Sequence, residues 1–179
     1  IRDWGKTDLQ LVDIDVCNHD DGDQPDVRVV PDAGAYLKYT SGSTGKAKAA
    51  VISHRSVLHG VMSYTNSCHF CSADRLAQVN GNYVNRPFFI NLLNGATLCP
   101  LDLQNVGIDQ LAAWLIRHKT TIYRSFPSLF RSFVSALSGD ERFPQLRLIR
   151  LAGEPLYRKD VELNRTHFPR TCLMINSYS

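Results

Sequence analysis

From Ala35 to the end of the chain, short apolar or β-branched runs alternate with stretches of about ten residues whose apolar positions recur every three or four. That alternation restricts the fold more than any other feature. Tyr36-Leu37-Lys38-Tyr39, Ala50-Val51-Ile52, Leu76-Ala77-Gln78-Val79 and Thr121-Ile122-Tyr123 read as strands, as do residues 96–101, 146–151 and 172–175. Between them lie helices with recognisable ends. Ser53 is placed to cap a helix carrying Val57, Leu58, Val61 and Met62 on one face. Residues 88–93 form another, stopped by Asn94-Gly95. Ile108, Leu111, Ala112 and Leu115 keep helical spacing, and Arg117, His118 and Lys119 follow as a solvated end favoured by the helix dipole. Pro127 opens a helix striped with Leu129, Phe130, Phe133, Val134 and Leu137, and residues 158–167 form a last one. Strand–helix–strand repetition of this kind predicts an α/β fold, a mostly parallel sheet flanked by helices on both faces.

The first thirty residues are less regular. Residues 9–14 alternate like a strand and residues 18–24 form a polar Asp/Gly loop. With no linker and no internal repeat, the 179 residues read as a single α/β domain, and 44% hydrophobic content suffices for one sizeable core. The N-terminus lacks Met and the C-terminus follows directly on a strand, so both ends read as cut and the chain as a piece of something larger.

Charge and composition exclude several classes. A net charge of +3 on 20 basic and 17 acidic residues is too even to argue for nucleic acid. No apolar run approaches a bilayer span, and the first residues do not form a signal peptide, so a cytoplasmic protein is expected. Cys17, Cys68, Cys71, Cys99 and Cys172 are odd in number and scattered, unlike a disulfide framework. Cys68-His69-Phe70-Cys71 supplies half of a tetrahedral zinc site and reads as ordinary thiols. No metal ligand is assigned within the chain. His54 and His59, beside the first long helix, read as structural, as do Trp4 and Trp114.

The most informative stretch is Tyr39-Thr40-Ser41-Gly42-Ser43-Thr44-Gly45-Lys46-Ala47-Lys48. Consecutive small residues let amide N–H groups converge on one concavity, hydroxyls add donors, and lysines add positive charge: a nest for a polyphosphate. A hairpin turn that merely reverses the chain is the bland reading, and the load of hydroxyls, glycines and lysines argues against it. The loop is not a Walker loop, because Gly42 and Gly45 are separated by two residues and Ala47 follows Lys46. It also differs from the dinucleotide fingerprint, which lacks this lysine and hydroxyl content.

Residues 39–49 resemble the signature Y-T-S-G-[ST]-T-G-x-P-K-G of the adenylate-forming superfamily, which includes acyl-CoA synthetases, luciferases and the adenylation domains of nonribosomal peptide synthetases. Ala152-Gly153-Glu154-Pro155-Leu156 is similar to the family's G-G-E-[AP]-L turn, and Asn176-Ser177-Tyr178-Ser179 to the start of N-x-Y-G-P-T-E. Asn94-Gly95-Ala96-Thr97-Leu98 matches a less specific N-G-A-T-L. The resemblance spans residues 35–179 and implies one subdomain of an adenylation domain, with its C-terminal subdomain absent.

It also implies a chemistry. A carboxylate attacks the α-phosphorus of Mg-ATP, giving an acyl-adenylate and pyrophosphate, and the acyl group passes to CoA or to a carrier protein's phosphopantetheine. Thr40, Ser41, Gly42, Ser43, Thr44, Gly45 and Lys48 would hold phosphate, with Thr44 and Lys48 in the catalytic positions. Gly153, Glu154 and Pro155 would line the adenine, with Tyr178 across its face, and the Mg²⁺ ligand is expected beyond Ser179. Ala47 and Ala49 depart from the family's Pro and Gly. Asn82 falls near the substrate-binding aspartate of peptide-synthetase domains and cannot pair with an α-ammonium. That predicts an acid without a free α-amine, such as a hydroxy, keto, aryl or fatty acid. Alternatively Arg86-Pro87-Phe88-Phe89 matches the acyl-CoA synthetase version of this region. Two rival readings are a non-catalytic adenylation-like interaction module in a multienzyme, and an unrelated ATPase or kinase.

Overall fold

The computed structural model describes residues 27–40, 48–79 and 86–177. The expected strand at 9–14, the loop at 18–24, Trp4, Cys17, the central phosphate-loop residues 41–47, Asn82 and Tyr178 lie outside the described residues. Where the sequence reads as one domain, the structure divides the chain into two units, Ile1–Val30 and Pro31–Ser179. Residues 27–30 of the first have no regular structure and are exposed. The α/β fold belongs to the second.

Its centre is a parallel sheet of five strands: β3 (Arg75–Val79), β4 (Thr97–Leu101), β5 (Ile122–Ser125), β6 (Leu148–Ala152) and β7 (Leu173–Ser177), in the order β4-β3-β5-β6-β7. The order reverses at β3, so helices diverge beyond the carboxyl ends of β3 and β5 and leave a crevice there, the usual place for a ligand in an open α/β sheet. Strands β1 (Gly34–Thr40) and β2 (Lys48–Ser53) stand apart as an antiparallel ribbon of their own. Residues 41–47 are too few for a parallel crossover, so these two strands must run antiparallel.

Helices α1 (His54–Cys68) and α2 (Arg86–Leu93) cover one face of the sheet; α4 (Leu111–Arg117), α5 (Pro127–Ser135) and α6 (Arg158–His167) cover the other, and α3 (Leu103–Val106) is a single turn after β4. On the α4–α6 side Tyr123, Ile149 and Leu151 pack against Phe130, Phe133, Phe143 and Phe168, whose rings lie at centroid separations of 5.1 to 6.2 Å. Trp114 packs at the edge of this core and stacks on His118 at 4.0 Å, so His118 is half-buried rather than solvated. On the α1–α2 side Leu76, Ile122 and Leu148 pack against Val57, Val61 and Ile90. The expected four-residue face of α1 is narrower than its sequence suggests. Val57 and Val61 are buried, whereas Leu58 and Met62, one position further round the helix, are 52% and 63% exposed.

Polar clamps hold the amino ends of the strands. The buried Asp74 accepts two bonds from Arg147 (2.8 and 2.6 Å), one from Thr121 Oγ1 (2.7 Å) and one from the Cys71 amide (2.9 Å). Burial alone would raise its carboxyl, but these donors hold it below the usual carboxylate range. The entrances to β3, β5 and β6 are thereby tied together, leaving their carboxyl ends for other uses. Ser53 caps α1 as expected, accepting the Ser56 amide at 3.3 Å. Gly95 stops α2 with φ +66°, a conformation that suits glycine.

Candidate functional site

The ribbon brings Thr40 and Lys48, the two described ends of the glycine-rich motif, opposite each other as its last register pair. Tyr39 pairs with Ala49, which places the Ala-for-Gly departure at an ordinary strand position that tolerates a methyl group. Ser41, Gly42, Ser43, Thr44 and Gly45 are outside the described residues. Lys48 is exposed on the ribbon.

The second motif follows β6. Gly153 has φ +89°, and a Cβ there would lie 3.0 Å from Cδ1 of Phe126, the residue that follows β5. Both the dihedral and the close approach require glycine. The Glu154 side chain turns back to the fold: its carboxylate accepts the Ser128 amide (2.8 Å) and the Ser128 hydroxyl (2.7 Å) at the start of α5. The Ser128 hydroxyl first, then its amide, with the charge of Arg131 adding to them, hold its carboxyl below the ordinary value. The Pro155 carbonyl accepts from Arg131 Nη2 at 3.2 Å, and Arg131 pairs in two bonds (2.7 and 2.9 Å) with Asp160, which also accepts the Tyr157 amide. Residues 153–157 are thus pinned between α5 and α6, with backbone at the carboxyl end of β6 and side chains anchored away from it. Arg131 and Asp160 were not singled out from sequence, because their pairing joins two helices distant in the chain.

A cleft of about 260 Å³ opens where ribbon, α1 and sheet meet, lined by Tyr36 and Lys38 of β1, Ser56 and Tyr64 of α1, and Arg124, Arg150, Ala152 and Ser177 of the sheet. Ala152 immediately precedes the Gly153 turn and Ser177 immediately precedes Tyr178. The walls of one cleft therefore lead into all three sequence motifs, although these are spread over most of the chain.

Reasoning from sequence missed two of its residues. Arg124 and Arg150 are direct register partners on β5 and β6, and Gln78 of β3 is the next partner across. All three share the face of Leu76, Ile122 and Leu148, which changes along the strands from apolar to polar. Arg150 Nε donates to Ser177 Oγ at 2.5 Å, and its guanidinium sits 4.1 Å from the Tyr64 ring centroid. Burial pushes it down to about 10, still charged at neutral pH. The available signal was an arginine inside the run 146–151 read as a strand and another directly after the strand 121–123.

Among the described residues no group of three or more His, Cys, Asp or Glu side chains could hold a metal, and no helix is long and apolar enough to cross a membrane. Cys68, Cys99 and Cys172 are buried free thiols and Cys71 an exposed one. His54 starts α1 through a backbone bond to Ala33, and His59 lies outside this cleft.

Comparison with known proteins matches residues 3–179 to the model of the family described as AMP-binding enzyme. Surfactin synthase subunit 2 of Bacillus subtilis (strain 168) is 31% identical over 150 residues, 80% of this chain and 4% of that protein. The nonribosomal peptide synthetase FmoA3, in its AMPPNP-bound form, aligns with a TM-score of 0.73 at 26% identity, covering 83% of this chain and 16% of that one. The N-terminal domain of FACL13 from Mycobacterium tuberculosis aligns with a TM-score of 0.75 at 18% identity, covering 88% and 39%, a likeness of fold. The chain thus spans a small part of the relatives it matches.

Proposed function

Because this chain belongs to the AMP-binding enzyme family, we propose that it forms part of the large domain of an adenylate-forming ligase, which activates a carboxylic acid with ATP for transfer to a thiol. The observation that carries this reading is the shared cleft: its walls run into the Thr40–Lys48 ribbon, the Gly153 turn and the strand end before Tyr178. A substrate carboxylate attacks the α-phosphorus, the bond to the bridging oxygen breaks, and pyrophosphate leaves. The protein's part is to position the reactants and to meet charge developing on phosphate oxygens.

Thr40, Ser41, Gly42, Ser43, Thr44, Gly45 and Lys48 hold the phosphates in this reading, with Thr44 and Lys48 at the reacting end. The Gly153–Pro155 backbone lies along the adenine, Tyr178 stacks on it, and Glu154 serves by holding the turn rather than by touching the base. The fit to a nucleotide rests on Gly153, where a side chain would close the turn against Phe126. Mg²⁺ is supplied from outside these residues. Asn82 belongs to the acid's site and favours an acid without an α-ammonium. The acceptor is CoA or a carrier phosphopantetheine, the remainder of the parent enzyme completes the active site, and the setting is cytoplasmic.

Acid-dependent exchange of pyrophosphate into ATP by the full-length protein tests this. Lys48→Ala is expected to cut exchange by about 100-fold or more, the scale of one lost charge contact to a transferring phosphoryl group, with circular dichroism unchanged. Absence of exchange with every acid class in a folded protein, or phosphate release without acid, would sink it.

A further inference from the structure

Two spaces follow one another along β6 between the sheet and its α1–α2 cover. The cleft described above has Ala152 in its wall, and a smaller void of about 20 Å³ has Leu148 in its wall. Arg150, between them on the same face of the strand, lines both, as do its register partner Arg124, Tyr64 of α1 and Pro87 of α2. The rest of the void is walled by Cys68, Phe70, Leu76, Ile90 and Ile122, none more than 9% exposed. A space of that size admits one water-sized or methyl-sized group, and apolar walls give a water no partner. Packed interiors leave few such spaces, and the opposite face of the same strands fills its own with phenylalanine rings.

A side chain that crosses from one layer to the other lies at the boundary between void and cleft. Arg150 Nε donates to Ser177 Oγ of β7 at 2.5 Å, and the guanidinium reaches α1, 4.1 Å from the Tyr64 ring centroid. A hydroxyl and an aromatic face together fix a long side chain that would otherwise sample many rotamers.

We propose that Arg150, clasped by Tyr64 and Ser177, is the length-limiting residue of the acid's subsite: it closes the floor of the cleft, so that the substrate is a short acid and the void below stays empty. The proposal rests on the adenylation reading and deepens it. With its reacting carboxylate at the Gly153 turn, an acid laid along β6 passes Ala152. It then meets Arg150, three residues before the turn and about 10 Å away at strand rise. Beyond that side chain the same line continues over Leu148 into the void. A longer acid must break the clasp or overpack against it. With the arginine cut back to its Cβ, void and cleft become one space, and each added methylene gains roughly four-fold in affinity from the apolar walls. The barrier is bulk, not charge.

Straight-chain, hydroxy, keto and aryl acids are each extended one methylene at a time at the end remote from the carboxylate. The full-length protein is assayed with them by ATP–pyrophosphate exchange, and separately by thermal shift without nucleotide. Within the class that exchanges, the wild type is expected to lose about ten-fold or more in kcat/KM at the first methylene that reaches Arg150. Arg150→Ala should move that limit outward by about two methylenes, which the void and the vacated stem accommodate. Arg150→Met keeps the bulk without the charge and should leave the limit where it stands. A wild type with no such limit, a limit that Arg150→Ala fails to move, or one that Arg150→Met moves as far, overturns the inference and leaves the ligase standing. Without exchange for any acid the ligase reading falls. Longer acids that then stabilise Arg150→Ala but not the wild type keep the subsite, and acids that stabilise neither overturn both. Should Arg150→Ala fail to fold, Tyr64→Ala, which removes the ring beneath the guanidinium, should move the limit the same way and decides alone.

Discussion

The two faces of the same five strands are built to different rules. Facing α4, α5 and α6, the strands present Tyr123, Ile149 and Leu151 to a knot of phenylalanines. Facing α1 and α2, they begin equally apolar with Leu76, Ile122 and Leu148, then change within two residues to Gln78, Arg124 and Arg150. The first face holds the fold. The second holds it only at the amino ends of the strands and gives its carboxyl half to a cleft. Side-chain alternation lets one strand serve both purposes, because successive residues answer to different neighbours.

The sharpest way to break this comparison is to cut a residue of equal depth from the apolar face. Phe133 is fully buried and touches the rings of Tyr123, Phe143 and Phe168. Phe133→Ala should cost about 3–5 kcal/mol, transfer and cavity together, read from urea denaturation. A cost below about 1 kcal/mol would mean the packing is loose and the division of labour unfounded.

Next in size is Arg131→Met. It leaves Asp160, 0% exposed, charged and without its cation, so a loss of about 3 kcal/mol is expected, at the low end for buried pairs because Arg131 keeps 25% of its side-chain surface. The same carboxylates predict a pH dependence. Arg131 first, and then the Tyr157 amide, hold the Asp160 carboxyl below its ordinary value; Asp74 is also lowered. A carboxyl with a depressed folded-state pKa prefers the native state when ionised. Its contribution is complete above the unfolded value of about 4 and is lost as pH falls through the folded values. Melting temperature should therefore be level near neutrality and drop below about pH 4, and Asp160→Asn should flatten that drop.

How much of this could be read beforehand follows from how local each feature is. The β-branched and apolar runs, the Ser53 cap, the Asn94-Gly95 stop and the Pro127 start are decided within a few residues, and among the described residues the strands and the longer helices appear near where the sequence places them, although Ile108 precedes α4, Leu137 follows α5 and α3 was not read. The separation of the ribbon from the main sheet, the narrowness of the buried stripe on α1, and the pairing of Arg131 with Asp160 depend on partners far away in the chain. Arg150 was visible as a charge inside a strand and Arg124 as one directly after a strand, yet only the parallel register shows that they stand side by side. Glu154 belongs to a motif read as an adenine contact, and its side chain proves to anchor α5.

Gly153 is where the two faces meet, and its replacement has an intermediate effect. Gly153→Ala forces an L side chain into φ +89° and sets a Cβ 3.0 Å from the Phe126 ring. A strained backbone of this kind costs about 1–3 kcal/mol. The Phe126 ring, 49% exposed, can swing away and relieve the contact but not the dihedral. The melting temperature should fall by a few degrees, and nucleotide-dependent stabilisation of the full-length protein should be lost. Retained nucleotide stabilisation with the expected drop in stability would restrict Gly153 to a role in turning the chain.

The smallest expected effect is the most diagnostic. Arg150→Met removes a charge from the half-buried neighbour of the fully buried Leu151 on β6, yet the change in stability should stay within about 1 kcal/mol of zero. The substitution loses the bond to Ser177 and the contact with Tyr64, and it also removes the cost of desolvating a guanidinium that no carboxylate of the described residues offsets. Ser177 borders the cleft, where water can replace its lost partner. The apolar stem of Met fills most of the space left by the arginine chain. A loss comparable to that of Arg131→Met would make Arg150 a structural residue and erase the contrast between the faces. A change near zero would mean that the fold does not depend on this cation, as the contrast between the faces requires.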